Sequence, residues 1–393
     1  MKMNIDIIRQ DTRGLSDGKI FMNNAGSSLM PSIAVDSMIE YLESEEQLGG
    51  YETMNRKADA LEKFYDEAAR LINTKPSNIA FATSATEAYA KALSSIVFKE
   101  GDVIITTTDD YISNQITFIS LQKKLNIKII RTKNLPDNEL DLEDLESLIN
   151  KHNPKLIAVT HIPTNSGLIQ DVESVGKLCK QYDVLYLVDA CQSVGQLAVD
   201  VEKIGCDFLS ATGRKFMRGP RGTGFLYVSD KILEQNYAPL LLDMRGADWT
   251  EFDNYELYKT AKRFENWEVS YASLIGFTKA LQYANNIGMH AIEHYNKGLS
   301  ERLRENLRSS GFSVWDWGKN LSSIITFSAP DGDLEKIQNV LKENNIFFSV
   351  THKNSALIDF TRKNINGIVR LSPHYFNTVK EIEMVSDILK QAL

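Results

Sequence analysis

The sequence predicts an α/β fold, with a large domain built on a mostly parallel seven-stranded sheet flanked by helices and a smaller α+β C-terminal domain. Between residues 78 and 228, short β-branched runs alternate with amphipathic stretches, the pattern of strands joined by crossover helices. Several of these runs are apolar at successive positions. Both faces of the sheet should therefore be buried, as in a parallel sheet between two layers of helices.

Seven segments are the candidate strands of the large sheet: residues 78–83, 102–107, 127–132, 155–160, 184–189, 207–212 and 222–228. The polar, aromatic segment 240–267 has weak periodicity and is interpreted as a long functional loop or a surface excursion, which could reach a partner subunit. We expect three parts: an N-terminal segment at 1–30 that contributes to the active site and the small domain, a large domain at 31–265, and a small domain at 266–393.

Composition excludes several classes of protein. The 393 residues are 43% apolar and 24% charged, as in an ordinary globular protein of two or three domains. A net charge of −8 disfavours nucleic acid and anionic membrane surfaces as partners. The three cysteines form no close pair, which argues against a disulfide framework or a zinc site. No stretch reaches the ~20 apolar residues of a membrane span. We therefore expect a cytoplasmic protein, and we expect no metal.

Lys215 carries the main chemical prediction. It follows the strand candidate 207–212, so it should lie at the carboxyl edge of the sheet, where open α/β folds bind ligands. Desolvation there would lower the pKa of its amine and make it a nucleophile that can form a Schiff base. The alternative, which this segment alone favours, is that Arg214 and Lys215 are solvated loop cations.

Asp189 ends the apolar run 184–189 and should emerge at the same edge. An acid in that place can keep a heteroaromatic nitrogen protonated, although it can equally cap a helix. A turn of small residues, Ser84 to Thr86, joins the strand candidate 78–83 to a helix. Its free backbone N–H groups predict a phosphate site, while Ser84 with Glu87 also fits an ordinary capping box.

Other polar side chains follow neighbouring strands. His161, Thr164 and Asn165 can form hydrogen bonds, and Tyr111 offers a flat aromatic face. Arg370, at a strand end in the small domain, can clamp a carboxylate in two parallel bonds. Each of them taken singly also fits an ordinary structural role.

Together these motifs resemble the class V aminotransferase and cysteine desulfurase superfamily, pyridoxal-phosphate enzymes of fold type I, from residues 21–31 through to 369–378. The resemblance implies that Lys215 binds pyridoxal 5'-phosphate covalently and that Asp189 pairs with its ring nitrogen. It also implies a homodimer with active sites at the subunit interface. The further residues it implies are Ala85, Thr86, Thr212 and Arg214 at the phosphate, Gln192 with Asn165 or Thr164 at the ring oxygen, Tyr111 on the ring face, Arg370 at the substrate carboxylate and Asn24 on the substrate side.

The chain also departs from the desulfurase pattern. Desulfurases carry a cysteine that takes up sulfur as a persulfide, and the corresponding stretch 347–360 has none, so we expect that activity to be disfavoured. His352 in this stretch is a candidate substrate contact, or a plain loop histidine. Arg214 replaces one histidine, and Asp110 with Tyr111 replaces another. The pattern looks most like the subgroup of hercynylcysteine sulfoxide lyases and isopenicillin N epimerase-like enzymes.

The resemblance therefore implies an enzyme acting on an amino acid. We expect a β-eliminating carbon–sulfur lyase on an S-substituted cysteine or its sulfoxide, in which Lys215 removes the α-proton. An aminotransferase or an epimerase needs the same first proton transfer and stays open. A non-enzymatic scaffold is least favoured, because Asp189, Lys215 and Arg370 would each be costly to desolvate without a function.

Overall fold

The computed structural model of the chain describes residues 3–393. In chain order the strands are β1 (Ile20–Phe21), β2 (Ile79–Ala82), β3 (Val103–Thr106), β4 (Lys128–Arg131), β5 (Leu156–Thr160), β6 (Leu185–Asp189), β7 (Phe208–Thr212), β8 (Gly224–Val228), β9 (Ala247–Glu251), β10 (Asn254–Leu257), β11 (Ser313–Val314), β12 (Ile325–Ser328), β13 (Ile346–Phe347), β14 (Ser349–His352) and β15 (Gly367–Leu371).

The α-helices are α1 (Ile5–Gln10), α2 (Ser32–Leu48), α3 (Gly50–Arg56), α4 (Ala58–Ile72), α5 (Ala85–Ser94), α6 (Ile112–Leu125), α7 (Leu142–His152), α8 (Val172–Gln181), α9 (Val201–Ile204), α10 (Asp230–Glu234), α11 (Tyr271–Ile287), α12 (Met289–Ser309), α13 (Leu334–Glu343), α14 (Leu357–Lys363) and α15 (Val379–Leu389). Short 3-10 helices lie at Arg13–Leu15, Pro76–Asn78, Ala261–Phe264, Lys353–Ser355 and Lys390–Ala392. In the described part of the chain, no helix combines the length and the apolar character that a membrane span needs.

The large sheet has seven strands in the order β2-β8-β7-β6-β5-β3-β4. Only β8 runs antiparallel to its neighbours β2 and β7, and the other pairs are parallel. Successive residues of one strand enter opposite cores: on β5, Ile157 and Val159 join one apolar cluster, while Leu156 and Ala158 join the other. The predicted mostly parallel seven-stranded sheet with helices on both faces is confirmed.

A second sheet of four antiparallel strands, in the order β11-β12-β15-β14, forms the C-terminal part. Its apolar face packs against α12, α13 and α15. Near the N-terminus, β1 pairs in parallel with β13, and Asn23 forms a bridge with Ser372. The expected domain boundaries at residues 30 and 265 stay a prediction.

The segment 240–267 differs from the expected loop because it contains an antiparallel hairpin of β9 and β10. Most side chains of this hairpin are exposed, including Trp249, Phe252 and Tyr255. A hairpin with no buried face leaves no alternation of apolar and polar residues to read, which explains why the sequence did not predict it.

Candidate active site

The carboxyl ends of β5, β6 and β7 position the site. The parallel register places Thr160 beside Asp189 and Asp189 beside Ser210. β7 then ends at Thr212, and the turn that follows carries Lys215. The strand-end residues singled out from the sequence therefore meet at one edge of the large sheet, as expected for a ligand site in an open α/β fold.

The turn after β7 is held tightly, and this fixes Lys215. The Lys215 carbonyl accepts the N–H of Arg218 at 2.9 Å, and Arg218 itself has a positive φ of 59°. A Cβ on Gly213 would lie 2.2 Å from the Thr223 hydroxyl, so only glycine fits there. The buried Arg218 guanidinium donates to the Leu29 carbonyl at 2.8 Å. The N-terminal segment thus closes over the lysine turn.

Lys215 itself is a buried amine, only 6% exposed. Within residues 3–393, no carboxylate comes within ion-pairing distance of its Nζ, which lies 5.5 Å from the centre of the Tyr111 ring. Burial lowers the pKa of Lys215, the positive charges of Arg214 and Arg370 act in the same direction, and Asp189 opposes them. A lowered pKa makes the neutral amine, the form that acts as a nucleophile or base, easier to reach.

Asp189 is a buried carboxylate, 4% exposed. Its Oδ1 accepts the Cys191 N–H at 2.9 Å, and its Oδ2 accepts Asn114 Nδ2 at 3.0 Å. No lysine or arginine pairs with it in the described part of the chain. Because an ionised carboxylate offers about four acceptor positions, Asp189 can still accept a proton-bearing ring nitrogen.

The start of α5 is the candidate phosphate site predicted from the sequence. Ser84 caps the helix by accepting the Glu87 N–H at 3.1 Å, so the capping bond considered from the sequence forms. The preceding N–H groups, of Ala85 and Thr86, have no partner inside the helix, since the first turn never does. Gly224 on β8 lies so close that a Cβ would approach the Ala85 nitrogen to 3.1 Å. The cap and the anion site are therefore compatible.

Thr164, in the loop after β5, forms hydrogen bonds with two further site residues. Its hydroxyl accepts Gln192 Nε2 at 2.9 Å and Arg370 Nη1 at 2.6 Å. Gln192 Oε1 and Arg370 Nε are buried and have no hydrogen-bond partner among residues 3–393. Burial lowers the pKa of Arg370 to about 10, with Arg214 adding to the shift, so the guanidinium stays protonated at neutral pH. These unpartnered atoms fit a polar ligand.

Asn24 and Asn165, both predicted from the sequence, bind other groups of the protein through their amide nitrogens. Asn24 is buried, and its amide spans the Ser372 carbonyl at 2.7 Å and the Ser28 hydroxyl at 2.6 Å. Asn165 Nδ2 donates to Asp109 and Asp359, at 3.0 Å each, while its Oδ1 is buried without a partner among the described residues.

His352 is exposed at the end of β14. Arg370 pairs with Ser349, so His352 lies three residues further along the strand, roughly 10 Å away. The structure does not bring His352 together with the other site residues.

His161 is buried, and burial lowers its pKa to about 4, which keeps the ring neutral.

The structure adds residues that strand-end reasoning missed. Asn114 lies in the first turn of α6 and contacts Asp110, Thr160 and Asp189. Asn114 follows Asp110 by four residues across the start of α6, and this spacing is the signal that the sequence offered. Cys191 also borders the site through its backbone bond to Asp189.

The chain matches a family model described as aminotransferase class V over residues 20–385. A probable cysteine desulfurase of Pyrococcus abyssi is 30% identical over 386 residues, covering 96% of this chain and 95% of that protein. A second, from Borreliella burgdorferi, is 30% identical over 383 residues, covering 93% and 89%. The apo structure of the cysteine desulfurase from Thermococcus onnurineus NA1 is similar with a TM-score of 0.90 at 27% identity, covering 99% and 98%.

These comparisons correct the expected reaction. The relatives and the similar structure are cysteine desulfurases, so the expectation of a β-eliminating lyase on S-substituted cysteines, with desulfurases disfavoured, is wrong. The finer resemblance to the hercynylcysteine sulfoxide lyase subgroup is also not supported by these relatives. The absence of a cysteine from residues 347–360 does not decide the reaction, because one scaffold hosts several chemistries.

The cofactor is pyridoxal 5'-phosphate. A solved C-DES variant with glycine covalently linked to the PLP cofactor shares the fold, with a TM-score of 0.85 at 18% identity over 97% of this chain and 98% of that one. The residues of this chain fit the group: a buried amine without an acidic partner, a buried carboxylate with free acceptor positions and a helix start for the phosphate. Gln192 and Arg370 supply unpartnered polar atoms beside them.

Proposed function

Because this chain belongs to the aminotransferase class V family, we propose that it is a pyridoxal-phosphate-dependent cysteine desulfurase, which converts cysteine to alanine and passes the sulfur to a thiol acceptor. The observation that supports the proposal most is full-length similarity to cysteine desulfurases, at 30% identity over 96% of the chain. A second support is the candidate site, to which Lys215, Asp189 and Arg370 all belong. Cysteine is a small amino acid, and a single guanidinium can hold its carboxylate.

Lys215 has two roles in this proposal. Its amine would hold the aldehyde of the cofactor, and the same amine, when free, would move the proton at the substrate α-carbon. Burial lowers the pKa of Lys215 and favours the neutral amine that both roles need. The turn held by Arg218 and Gly213 keeps Nζ in place.

Asp189 holds a proton at the ring nitrogen, and the bound cofactor then supplies an electron sink for the bond that breaks at the α-carbon. The two donors on Asp189, Cys191 N–H and Asn114 Nδ2, fix the direction of the carboxylate. A fixed acid needs no reorganisation as charge develops in the ring.

Arg370 binds the substrate carboxylate. Its Nη1 donates to the Thr164 carbonyl at 3.0 Å and to the Thr164 hydroxyl, while its Nε has no partner in the part of the chain that the structure describes. The guanidinium can therefore turn a free N–H toward a ligand without losing its anchor.

The sulfur step balances without an oxidant. The sulfur of an acceptor thiolate attacks the Sγ of the bound cysteine, an S–S bond forms and the Cβ–Sγ bond breaks. The electron pair of that bond stays on Cβ and is protonated, so cysteine plus a thiol yields alanine plus a persulfide.

We also propose a cytoplasmic homodimer. The three cysteines are free thiols, as expected in a reducing compartment. The β9–β10 hairpin exposes Phe252 and Trp249, which are 95% and 79% exposed, and Leu240, Leu241 and Met244 are exposed nearby in sequence. An apolar patch of this kind is typical of a surface that another subunit covers, and a second copy of the chain is the occupant we propose.

The test is product analysis. Purified protein loaded with cofactor is incubated with L-cysteine and excess dithiothreitol, and alanine, pyruvate and sulfide are quantified. We expect alanine and sulfide in equal amounts. Pyruvate and ammonia in amounts equal to the sulfide would overturn the proposal, because they indicate elimination instead. S-methylcysteine is the matched control substrate, since its sulfur cannot be passed on as a simple persulfide.

A further inference from the structure

A second buried carboxyl group, that of Asp110, lies next to the cofactor acid. Asp110 is 8% exposed and sits between β3 and α6. It receives five hydrogen bonds. On Oδ1 the donors are Tyr111 N–H at 2.6 Å, Asn114 Nδ2 at 3.1 Å and the Thr160 hydroxyl, and on Oδ2 they are Gln115 Nε2 at 2.6 Å and the Thr106 hydroxyl at 3.2 Å.

This set of partners suits an anion. An ionised carboxylate only accepts hydrogen bonds, and all five partners can donate. No lysine or arginine of residues 3–393 forms an ion pair with Asp110. The nearest link to a cation runs through Gln115, whose Oε1 accepts Arg131 Nε at 3.0 Å and Nη2 at 2.7 Å. Burial raises the pKa of Asp110 and the charge of Asp189 adds to the shift, while the hydrogen bonds from Thr160, Gln115 and Asn114 oppose it. When Asp110 is ionised, its charge is stabilised by these dipoles and not by a cation.

Asn114 connects this charge to the cofactor acid. Its amide nitrogen donates to Asp110 Oδ1 at 3.1 Å and to Asp189 Oδ2 at 3.0 Å. An amide group carries two N–H hydrogens, so one can serve each carboxylate. Since Asp110 anchors Asn114 and Asn114 holds Asp189, the orientation of Asp189 depends on Asp110.

We propose that Asp110 is a positioning residue for the cofactor: through Asn114 it orients Asp189 toward the ring nitrogen, and its charge helps to keep that nitrogen protonated. A protonated ring nitrogen held by Asp189 would relieve the repulsion between the two buried carboxyl groups. This inference rests on the cofactor site and not on the fate of the sulfur, so it can fail or hold independently of the desulfurase proposal.

A purely structural role is the competing explanation. Asp110 lies just before α6 and accepts the N–H of Tyr111, so it could serve only to order the start of that helix. In that case its removal would lower the stability of the apoprotein and leave the protonation of the ring unchanged.

The experiment compares Asp110→Asn with native protein, using coenzyme labelled with ¹⁵N at the ring nitrogen. The apoprotein is titrated with coenzyme to measure its dissociation constant, the ¹⁵N chemical shift reports ring protonation, and thermal unfolding of the apoprotein reports stability. We expect coenzyme binding to weaken by about tenfold and the ¹⁵N signal to move toward the unprotonated position. Apoprotein stability should fall, because the amide loses acceptor positions for the surrounding donors, so the ¹⁵N signal is the readout that separates the two roles.

Two further variants keep the inference testable if Asp110→Asn folds poorly. Asn114→Ala should reproduce the same ¹⁵N shift, and the double variant should lose no more coenzyme affinity than the larger single loss, since both act on one path. Asp144→Asn is the matched control, because Asp144 accepts the Lys133 N–H at 2.9 Å beside α7 and is not among the partners of Asp189. An unchanged ¹⁵N signal in both Asp110→Asn and Asn114→Ala would overturn the inference.

Discussion

Arg370 and Thr164 join the two sheets of the molecule. Arg370 lies on β15 of the four-stranded sheet, and its Nη1 donates to the carbonyl and the hydroxyl of Thr164 in the loop after β5, at 3.0 and 2.6 Å. The same hydroxyl accepts Gln192 Nε2. The group proposed to hold the substrate carboxylate and the amide proposed to face the cofactor ring thus share one anchor.

Loss of this anchor should weaken substrate binding. In Thr164→Val the side chain keeps its shape but loses the hydroxyl, so Arg370 and Gln192 both lose a hydrogen bond. We expect KM for cysteine to rise by about tenfold, with a smaller change in kcat. Steady-state kinetics measure this, and Thr117→Val on α6 is the matched control. A variant with native KM would show that Thr164 does not position the guanidinium.

Cys191 borders the site, yet its thiol should not be the sulfur carrier. Burial raises the pKa of the Cys191 thiol well above its usual value, the negative charge of Asp189 acts in the same direction, and Lys215 opposes them. A protonated thiol is a poor nucleophile. We expect Cys191→Ser to keep alanine formation within about threefold of native when dithiothreitol is the acceptor. Loss of activity, together with a persulfide on Cys191 detected by mass spectrometry, would contradict this expectation.

Asp109 should make stability depend on pH. Burial raises the pKa of Asp109 to about 7, the charge of Asp359 adds to the shift and Lys363 opposes it. An unfolded aspartate titrates near about 4. Between about pH 4 and 7 the folded protein therefore binds one more proton than the unfolded chain, and its stability falls as pH rises through that window.

The variant Asp109→Asn cannot titrate at this position. Urea unfolding measures the free energy of unfolding of both proteins at pH 5 and pH 8. From pH 5 to pH 8, the stability of the variant relative to native protein should rise by about 1 kcal/mol or more. The difference between the two proteins cancels the contributions of other titrating groups. Parallel pH dependence of both proteins would mean that Asp109 is ionised throughout.

The exposed hairpin should hold the dimer together. In the double variant Trp249→Ser with Phe252→Ser, two large apolar side chains leave the proposed interface. We expect the dimer to dissociate at protein concentrations at least about tenfold higher than for native protein. Light scattering coupled to size-exclusion chromatography measures the mass, and Met384→Ser on α15 is the control. A native chain that is monomeric throughout would rule out the homodimer.

Strand-end reasoning predicted much of the large sheet and its edge. The run 155–160 was recognisable because it is apolar on both faces, and β5 spans Leu156–Thr160. Lys215 and Asp189 followed from the same logic. Asn114 did not, because it reaches the site from a helix and its role depends on a contact across two elements.

The C-terminal sheet was harder to anticipate. Whether His352 approaches Arg370, 18 positions later in the chain, depends on the register with which β14 pairs with β15. Neither segment taken alone reveals that register. The reaction was harder still, because one set of catalytic side chains serves several chemistries on this scaffold.

The most direct measurement is the site of covalent attachment of the cofactor. Borohydride reduction of the loaded native protein, followed by proteolysis and mass spectrometry, should find the pyridoxyl phosphate group on the peptide that contains Lys215 and on no other lysine. The Lys215→Ala variant should be colourless and inactive. A label on a different lysine, or a coloured and active Lys215→Ala protein, would show that the site described above is not where the chemistry occurs.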